Sequence, residues 1–299
     1  MSWRSVFVSQ PARLKCKNRQ LQIEQAGEVV CVPLEDVGAI VVESQQVNMT
    51  TSLLASFAQT HIAVFVCDDK HMPCGVMQPF HQHSRQRKVL SSQLMASKPF
   101  LKRCWQLIVQ QKIYNQAECL RLCGKDSYVG VKALAGEVLS DDSTGRESYA
   151  ARLYFSSLFP NFLRREERAQ TAALDYGYAI LRGVIARSLA SYGLQPALGV
   201  HHCSELNAFN LADDLIEPFR PLVDLWVATN YLEAEEFTLQ MRQELVALLH
   251  YDIKIDGRRQ TVLRAIEIAT GQLAAAFVEK QAAKLVLPEL IGLNEHSYE

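Results

Sequence analysis

The 299-residue sequence predicts an α+β fold, a small N-terminal β-rich domain followed by a larger all-α domain. Up to about residue 80, apolar residues fall in short Val- and Ile-rich runs divided by turn residues, which is strand patterning. From about Gln82 onward they recur at helical spacing in long segments. The polar link "QPFHQHSRQRK" separates the two styles, so the domains are expected at 1–81 and 82–299.

In chain order, "RSVFVS", "RLKCKNRQLQIEQ", "EVVCVPL", "VGAIVVES" and "HIAVFVCD" read as strands. The second and third make two hairpins, turning at Asn18 and at Ala26-Gly27, and one helix, "TTSLLASFAQT", interrupts the series. The stretch "SRQRKVLSSQLMASKPFLKRCWQLIVQQKIYNQAECLRLC" is the clearest helical segment. Pro99 should divide it, because the proline ring clashes with the preceding turn. Gly124 and Lys125 end the second half, and further helices run to near Pro288.

With 48% hydrophobic residues, a net charge of -1 and no low-complexity tract, the chain can bury a sizeable core. No apolar run reaches the roughly 18 to 20 residues of a membrane helix, and "MSWRSVFVSQPARL" lacks the apolar region of a signal peptide. A cytoplasmic protein is expected. The eight cysteines are scattered, several inside apolar runs, as in a reducing compartment. Cys119 and Cys123 lie one helical turn apart but lack the second pair that a zinc site needs.

Charge is segregated along the chain. Residues 81–130 hold nine Lys and Arg (Arg85, Arg87, Lys88, Lys98, Lys102, Arg103, Lys112, Arg121, Lys125) against Glu118 and Asp126. Residues 203–256 carry eleven acids against Arg220, Arg242 and Lys254. A polyanion could lie on the first block while cations gather at the second, as a metal-dependent enzyme acting on nucleic acid requires. Any single run of this kind is more often a solvated helix face.

Chemistry concentrates in three places. Glu147, in "STGRESYAARLYFSSLFP", leads a helical face continued by Ala150, Ala151, Tyr154 and Leu158, with Ser143 or Thr144 placed to cap the helix. A carboxylate heading an apolar stripe needs a partner. His201 and His202 follow a short apolar segment in "LGVHHCSELN", and adjacent histidines in extended chain point apart, so at most one serves as a ligand. In "NLADDLIEPFRPLVD", Asp213 and Asp214 lie four and three residues before Glu217. Acids so close repel one another unless a cation sits among them, and Arg220 offsets only part of that charge. Oxygen and nitrogen ligands in a site open to water suit Mn²⁺ or Mg²⁺.

"GRESYAARLYF", "PALGVHH" and "FNLADDLIEPFRPLVD", in this order and at these separations, resemble the metal-dependent integrase-nuclease family of CRISPR spacer acquisition, Cas1, in its type II branch. The resemblance covers essentially the whole chain. It implies Glu147, His202 and Glu217 as catalytic metal ligands, His202 because the family's histidine stands three positions after the glycine, here Gly199. It implies Asp214, with His201, as neighbours of the ion and leaves Asp213 without a role.

The implied reaction is transesterification, in which the 3′-hydroxyl of a short DNA fragment attacks a phosphodiester at the edge of a CRISPR repeat. With water as the attacking group, the same site would be an endonuclease. Arg85, Arg87, Lys102, Arg103, Arg164 and Arg165 are the expected phosphate contacts. The implied partners are DNA, a second copy of the chain joined through the β-rich domains, the small adaptation protein Cas2, other type II adaptation proteins and the RNA-guided effector nuclease. The contrasting reading is a non-catalytic helical DNA-binding or scaffold protein.

Overall fold

The structure is a computed structural model and describes residues 4–60, 62–78, 85–160 and 168–297. Arg164 and Arg165, and most of the link around residue 81, lie outside the described residues. The chain divides into two compact units, residues 1–82 and 83–299, the first rich in strand and the second helical.

In the first unit, β2 (Ala12–Lys17), β3 (Gln20–Gln25) and β4 (Glu28–Pro33) form an antiparallel meander. Its first turn puts Asn18 and Arg19 at φ 52° and 58°, its second Ala26 and Gly27 at 50° and 87°. Two-residue hairpin turns need this left-handed pair to match the twist of their strands. The short strand β6 (Val47–Met49), which lacks a clear sequence signal, runs parallel to β2. A second sheet has the order β1 (Arg4–Val8), β5 (Val37–Val42), β7 (Ala63–Cys67), β8 (Pro73–Val76). Its strand β5 is buried throughout and flanked on both sides by parallel partners, which explains its unbroken apolar sequence. Helix α1 (Thr51–Gln59) is capped by Thr50, whose Oγ1 accepts from the Leu53 amide at 3.3 Å. It drops Leu53 and Phe57 into a core shared with Leu14, Leu21, Ile40 and Val64.

The second unit opens with α2 (Gln86–Leu94) and α3 (Lys98–Leu122), divided at the expected proline. Pro99 sits in the first turn of α3, where its missing N–H costs nothing, and Ser97 Oγ caps that turn through the Phe100 amide. The helix ends just before Gly124, at φ 67°. Its apolar face buries Trp105, Ile108, Val109, Ile113 and Leu120, and it packs against α4 (Tyr128–Ala135) and α5 (Arg146–Leu158). Helix α6 (Ala169–Ser191) runs through the core and packs on α7 (Asn210–Leu215), α8 (Arg220–Asn230) and α9 (Leu239–Ala247). The long helix α10 (Val262–Glu279) packs against α2 and α6.

The helical unit also contains one hairpin, β9 (Asp252–Ile255) with β10 (Arg258–Thr261), which the all-α expectation omits. Its turn is Asp256-Gly257, both at positive φ. An Asp-Gly pair is a strong hairpin signal, but the polar flank "RRQT" hides the alternation that would have announced a strand. Among the described residues, no helix is long and apolar enough to cross a membrane.

Candidate metal centre

Glu147 stands in the first turn of α5, and the face read from sequence is the buried one, with Ala150, Tyr154 and Leu158 all inside. Neither Ser143 nor Thr144 caps this helix. The chain reaches it through left-handed residues at Asp141, Asp142 and Gly145, which turn the Asp142 carboxylate back onto the helix end. Asp142 Oδ1 accepts from the Arg146 amide at 2.8 Å and Oδ2 from the Glu147 amide at 3.0 Å. A carboxylate there satisfies two open N–H groups and complements the helix dipole.

Glu217 follows α7 in the turn that Pro218 forces before α8 begins at Arg220. Only 6% exposed, it needs compensation for its charge. Arg220 Nε donates to Oε1 at 2.9 Å, and Lys112 Nζ lies 2.5 Å from Oε2. The same Nζ donates to Glu147 Oε1 at 2.6 Å. Glu147 and Glu217, distant in sequence, therefore meet on one ammonium supplied by α3. Burial alone would lower the Lys112 ammonium, but the two carboxylates outweigh it and hold it above its usual value. Burial would likewise raise Glu217, yet Lys112 and Arg220 keep it below the ordinary carboxylate range.

Asn115, one turn beyond Lys112 on α3 and 2% exposed, fixes the same turn. Its amide donates to the carbonyls of Pro218 at 2.7 Å and Pro288 at 2.8 Å, and its Oδ1 accepts from the Leu290 amide at 3.1 Å. Below the turn, the Arg220 guanidinium lies 4.5 Å from the centre of the Tyr178 ring. The Tyr178 hydroxyl donates to Asp224 Oδ1, and the Tyr154 hydroxyl donates to Asp224 Oδ2 at 2.8 Å. Glu217 thus rests on a buried polar chain that ends in Asp224, which is 1% exposed.

His202 is set by Asp214, which is wholly buried. The Asp214 carboxylate accepts from the amides of Val200, His201 and His202 at 2.5, 3.1 and 3.1 Å. Its Oδ1 also lies 2.7 Å from His202 Nδ1. That pairing makes Nδ1 the donor and leaves the Nε2 lone pair available, as in histidines that bind metals with a carboxylate behind them. The hydrogen bond to Asp214, opposed by burial and helped by the charges of Asp214, Glu217 and Asp213, raises the His202 pKa. Gly199 permits the cradle, because a Cβ there would stand 2.1 Å from the His202 carbonyl oxygen and 2.8 Å from Asp214 Oδ2.

His201 faces elsewhere. Its ring stacks on buried Trp105 at 4.3 Å with 5° between planes, and Nδ1 lies 3.6 Å from Asp141. Asp213, expected to be a bystander in solvent, is held instead by Arg182 at 2.6 and 2.8 Å and by the Asn207 amide at 2.6 Å. Of the expected phosphate contacts, Arg85 and Arg87 are exposed at the start of α2, Lys102 pairs with Asp141 at 3.1 Å, and Arg103 bonds Gln106 at 2.6 Å.

Among the described residues, no three His, Cys, Asp or Glu gather as a ready metal-ligand cluster. Glu147 and Glu217 meet on Lys112, and His202 lies within electrostatic reach of Glu217. The donors nevertheless suit a hard divalent cation. Two carboxylates already converge on one positive charge. Glu217 Oε2 is buried and receives no well-directed hydrogen bond, and the His202 ring is fixed by its far nitrogen. Lys112, Asn115 and Asp142 lie outside the three sequence blocks, and Asp224, the last residue of the third, has no role assigned from sequence. In the sequence Lys112 looked like one more charge of a basic face, and only its place among Trp105, Ile108, Val109 and Ile113 on α3 could have marked it as buried.

Residues 6–249 match the family model described as CRISPR associated protein Cas1. The chain is 43% identical over 304 residues to the CRISPR-associated endonuclease Cas1 of Neisseria meningitidis serogroup C, covering all of both chains. Its fold is similar to that of a casposase bound to an integration product, with a TM-score of 0.73 at 18% identity over 93% of this chain and 91% of the other. It is also similar to part of a Cas6-RT-Cas1–Cas2 complex, with a TM-score of 0.68 at 19% identity over 94% of this chain and 36% of that one. Three sequence blocks met in order, a strand-rich unit before a helical one, and a full-length relative at this identity agree that the chain belongs to the Cas1 family.

Proposed function

We propose that this chain is a metal-dependent DNA integrase and endonuclease that inserts short foreign DNA fragments into a CRISPR array, with Glu147, His202 and Glu217 as the ligands of Mn²⁺ or Mg²⁺. The observation that carries the reading is the meeting of Glu147 and Glu217 on one cation, beside a histidine whose far nitrogen is already engaged. When bound, the ion would polarise a phosphoryl oxygen and stabilise charge on the attacking or leaving oxygen.

In this reading a fragment's 3′-hydroxyl oxygen forms a bond to phosphorus as the bond from phosphorus to the leaving strand breaks, so phosphodiesters are conserved and no covalent protein intermediate is needed. The chain's own part is positioning. Asp142 sets the helix end that presents Glu147, Arg220 and Asn115 fix the Glu217 turn, and Asp214 orients the His202 ring. Arg85, Arg87, Lys102 and Arg103 are the phosphate contacts, Lys102 exchanging Asp141 for the DNA backbone. Arg164 and Arg165 complete that set.

Residues 82–299 form the catalytic domain and residues 1–81 the dimerisation domain. Exposed Val29 and Val30 on the edge strand β4 supply part of the homodimer surface. The similarity to the chain of the Cas2-containing complex supports Cas2 as a partner, and the relative from Neisseria meningitidis, a CRISPR-associated endonuclease, supports the nuclease reading. In this reading the chain works in the cytoplasm, in spacer acquisition of a type II system. Other type II adaptation proteins and the RNA-guided effector nuclease would help select the fragment.

The test is joining and cleavage of branched DNA in Mn²⁺. Glu147→Ala, His202→Ala and Glu217→Ala should each abolish product without weakening DNA binding. Undiminished activity in EDTA would overturn metal dependence, and undiminished activity in all three variants would overturn these residues as the catalytic ligands.

A further inference from the structure

Lys112 is a nearly buried lysine on a helix face otherwise filled by Trp105, Ile108, Val109 and Ile113. Its ammonium occupies the space between the two carboxylates proposed to hold the metal, 2.6 Å from Glu147 and 2.5 Å from Glu217. With Arg220 also on Glu217, two positive charges already balance two negative ones, and a divalent ion cannot join them without strong repulsion. The pair lies at the edge of the core, since the Lys112 and Glu147 side chains are 11% and 25% exposed, so the ammonium has a way out on its flexible four-carbon stem.

Resting on the metal-centre reading above, we propose that Lys112 is a resident cation that the divalent ion displaces, and that its released ammonium then binds a phosphate oxygen of the DNA. Without the metal, Lys112 keeps Glu147 and Glu217 together. With the metal, the same charge turns outward to the polyanion. Metal entry and DNA engagement are thereby linked through one side chain, because a DNA phosphate is what stabilises the displaced ammonium. The role is one of positioning and phosphate contact, beyond that of the three ligands.

The experiment titrates Mn²⁺ into the full-length chain without DNA, by calorimetry, for wild type, Lys112→Gln and Lys112→Met. Glutamine retains amide donors for the carboxylates and so protects the fold, which thermal melting verifies. Without the competing charge, both variants should bind Mn²⁺ at least about tenfold more tightly than wild type. At saturating Mn²⁺, strand transfer on branched DNA should fall at least about tenfold in Lys112→Gln, because the released ammonium is missing. Mn²⁺ affinity in a folded Lys112→Gln chain equal to or below wild type would overturn displacement, and unchanged strand transfer would overturn the phosphate contact. A purely structural ion pair predicts weaker metal binding, the opposite sign. If wild type and Lys112→Gln both fail to bind Mn²⁺ at millimolar concentration, the metal-centre reading itself falls. If wild type binds and the variant binds no more tightly, only the exchange does.

Discussion

Asp214 Oδ1 lies 2.7 Å from His202 Nδ1 while the same carboxylate accepts amides from Val200, His201 and His202. One buried acid therefore fixes both the backbone that carries His202 and the tautomer of its ring. Asp214→Asn keeps the shape but offers fewer acceptors and removes the charge. Strand transfer should fall about 10- to 100-fold, the usual cost of losing a carboxylate behind a metal-binding histidine. Mn²⁺ affinity should fall in parallel and DNA affinity should not. Equal losses in all three would instead mean a collapsed loop.

Gly199→Ala tests the same cradle from the backbone. The added methyl would collide with the His202 carbonyl oxygen at 2.1 Å, so the loop must move, carrying His202 with it. The expected outcome is loss of strand transfer together with a melting temperature lowered by several degrees, since overpacking a tightly filled site costs typically about 1–3 kcal/mol. A fully active Gly199→Ala protein would show that the loop need not hold this form.

Acid stability should depend on His250. Burial depresses its pKa to about 4, below the ordinary 6.5. Between those values the unfolded chain takes up a proton that the folded one refuses, so stability rises with pH across that window. The contribution is fully present above about pH 6.5 and lost as pH falls through about 4, amounting to roughly 3 kcal/mol at most. Urea unfolding at pH 7 and pH 4.5 should show a smaller drop for His250→Gln than for wild type, and equal drops would refute the assignment.

Thiol reactivity should be uneven along α3. Burial pushes Cys104 up to about 12, and it also raises Cys119 well above its ordinary value. Half-buried Cys123 is brought down to about 7 by a hydrogen bond from Cys119, against some burial. An alkylating reagent at neutral pH, read by peptide mass spectrometry, should modify Cys123 together with exposed Cys31, Cys74 and Cys203. Cys104 and Cys119 should react only after denaturation.

What the sequence reveals follows from the range of the forces involved. The strands of the first unit are legible because Val- and Ile-rich runs and left-handed turn residues at Asn18 and Gly27 act locally. Pro99 likewise marks a helix break through its own ring. The stripe from Glu147 to Leu158 is visible because helix periodicity puts it on one face. Lys112 is not visible in this way, since a lysine in a basic run looks the same whether its ammonium meets water or two acids brought from α5 and the turn after α7. Spacing places the α5 cap at Ser143 or Thr144, whereas Asp142 supplies it, because three left-handed residues reverse the chain there and no spacing rule anticipates them. Asp213 seemed idle because its partner, Arg182, lies on another helix.

In the proposed function, Glu147, His202 and Glu217 share one divalent ion. A crystal of the full-length chain grown with Mn²⁺ and measured at the manganese absorption edge tests it most directly. The expected result is one anomalous peak within coordination distance of both carboxylates and His202 Nε2, with the Lys112 ammonium withdrawn from between the acids. A map without that peak, at a Mn²⁺ concentration that supports strand transfer and with Lys112 still bridging Glu147 and Glu217, would contradict it.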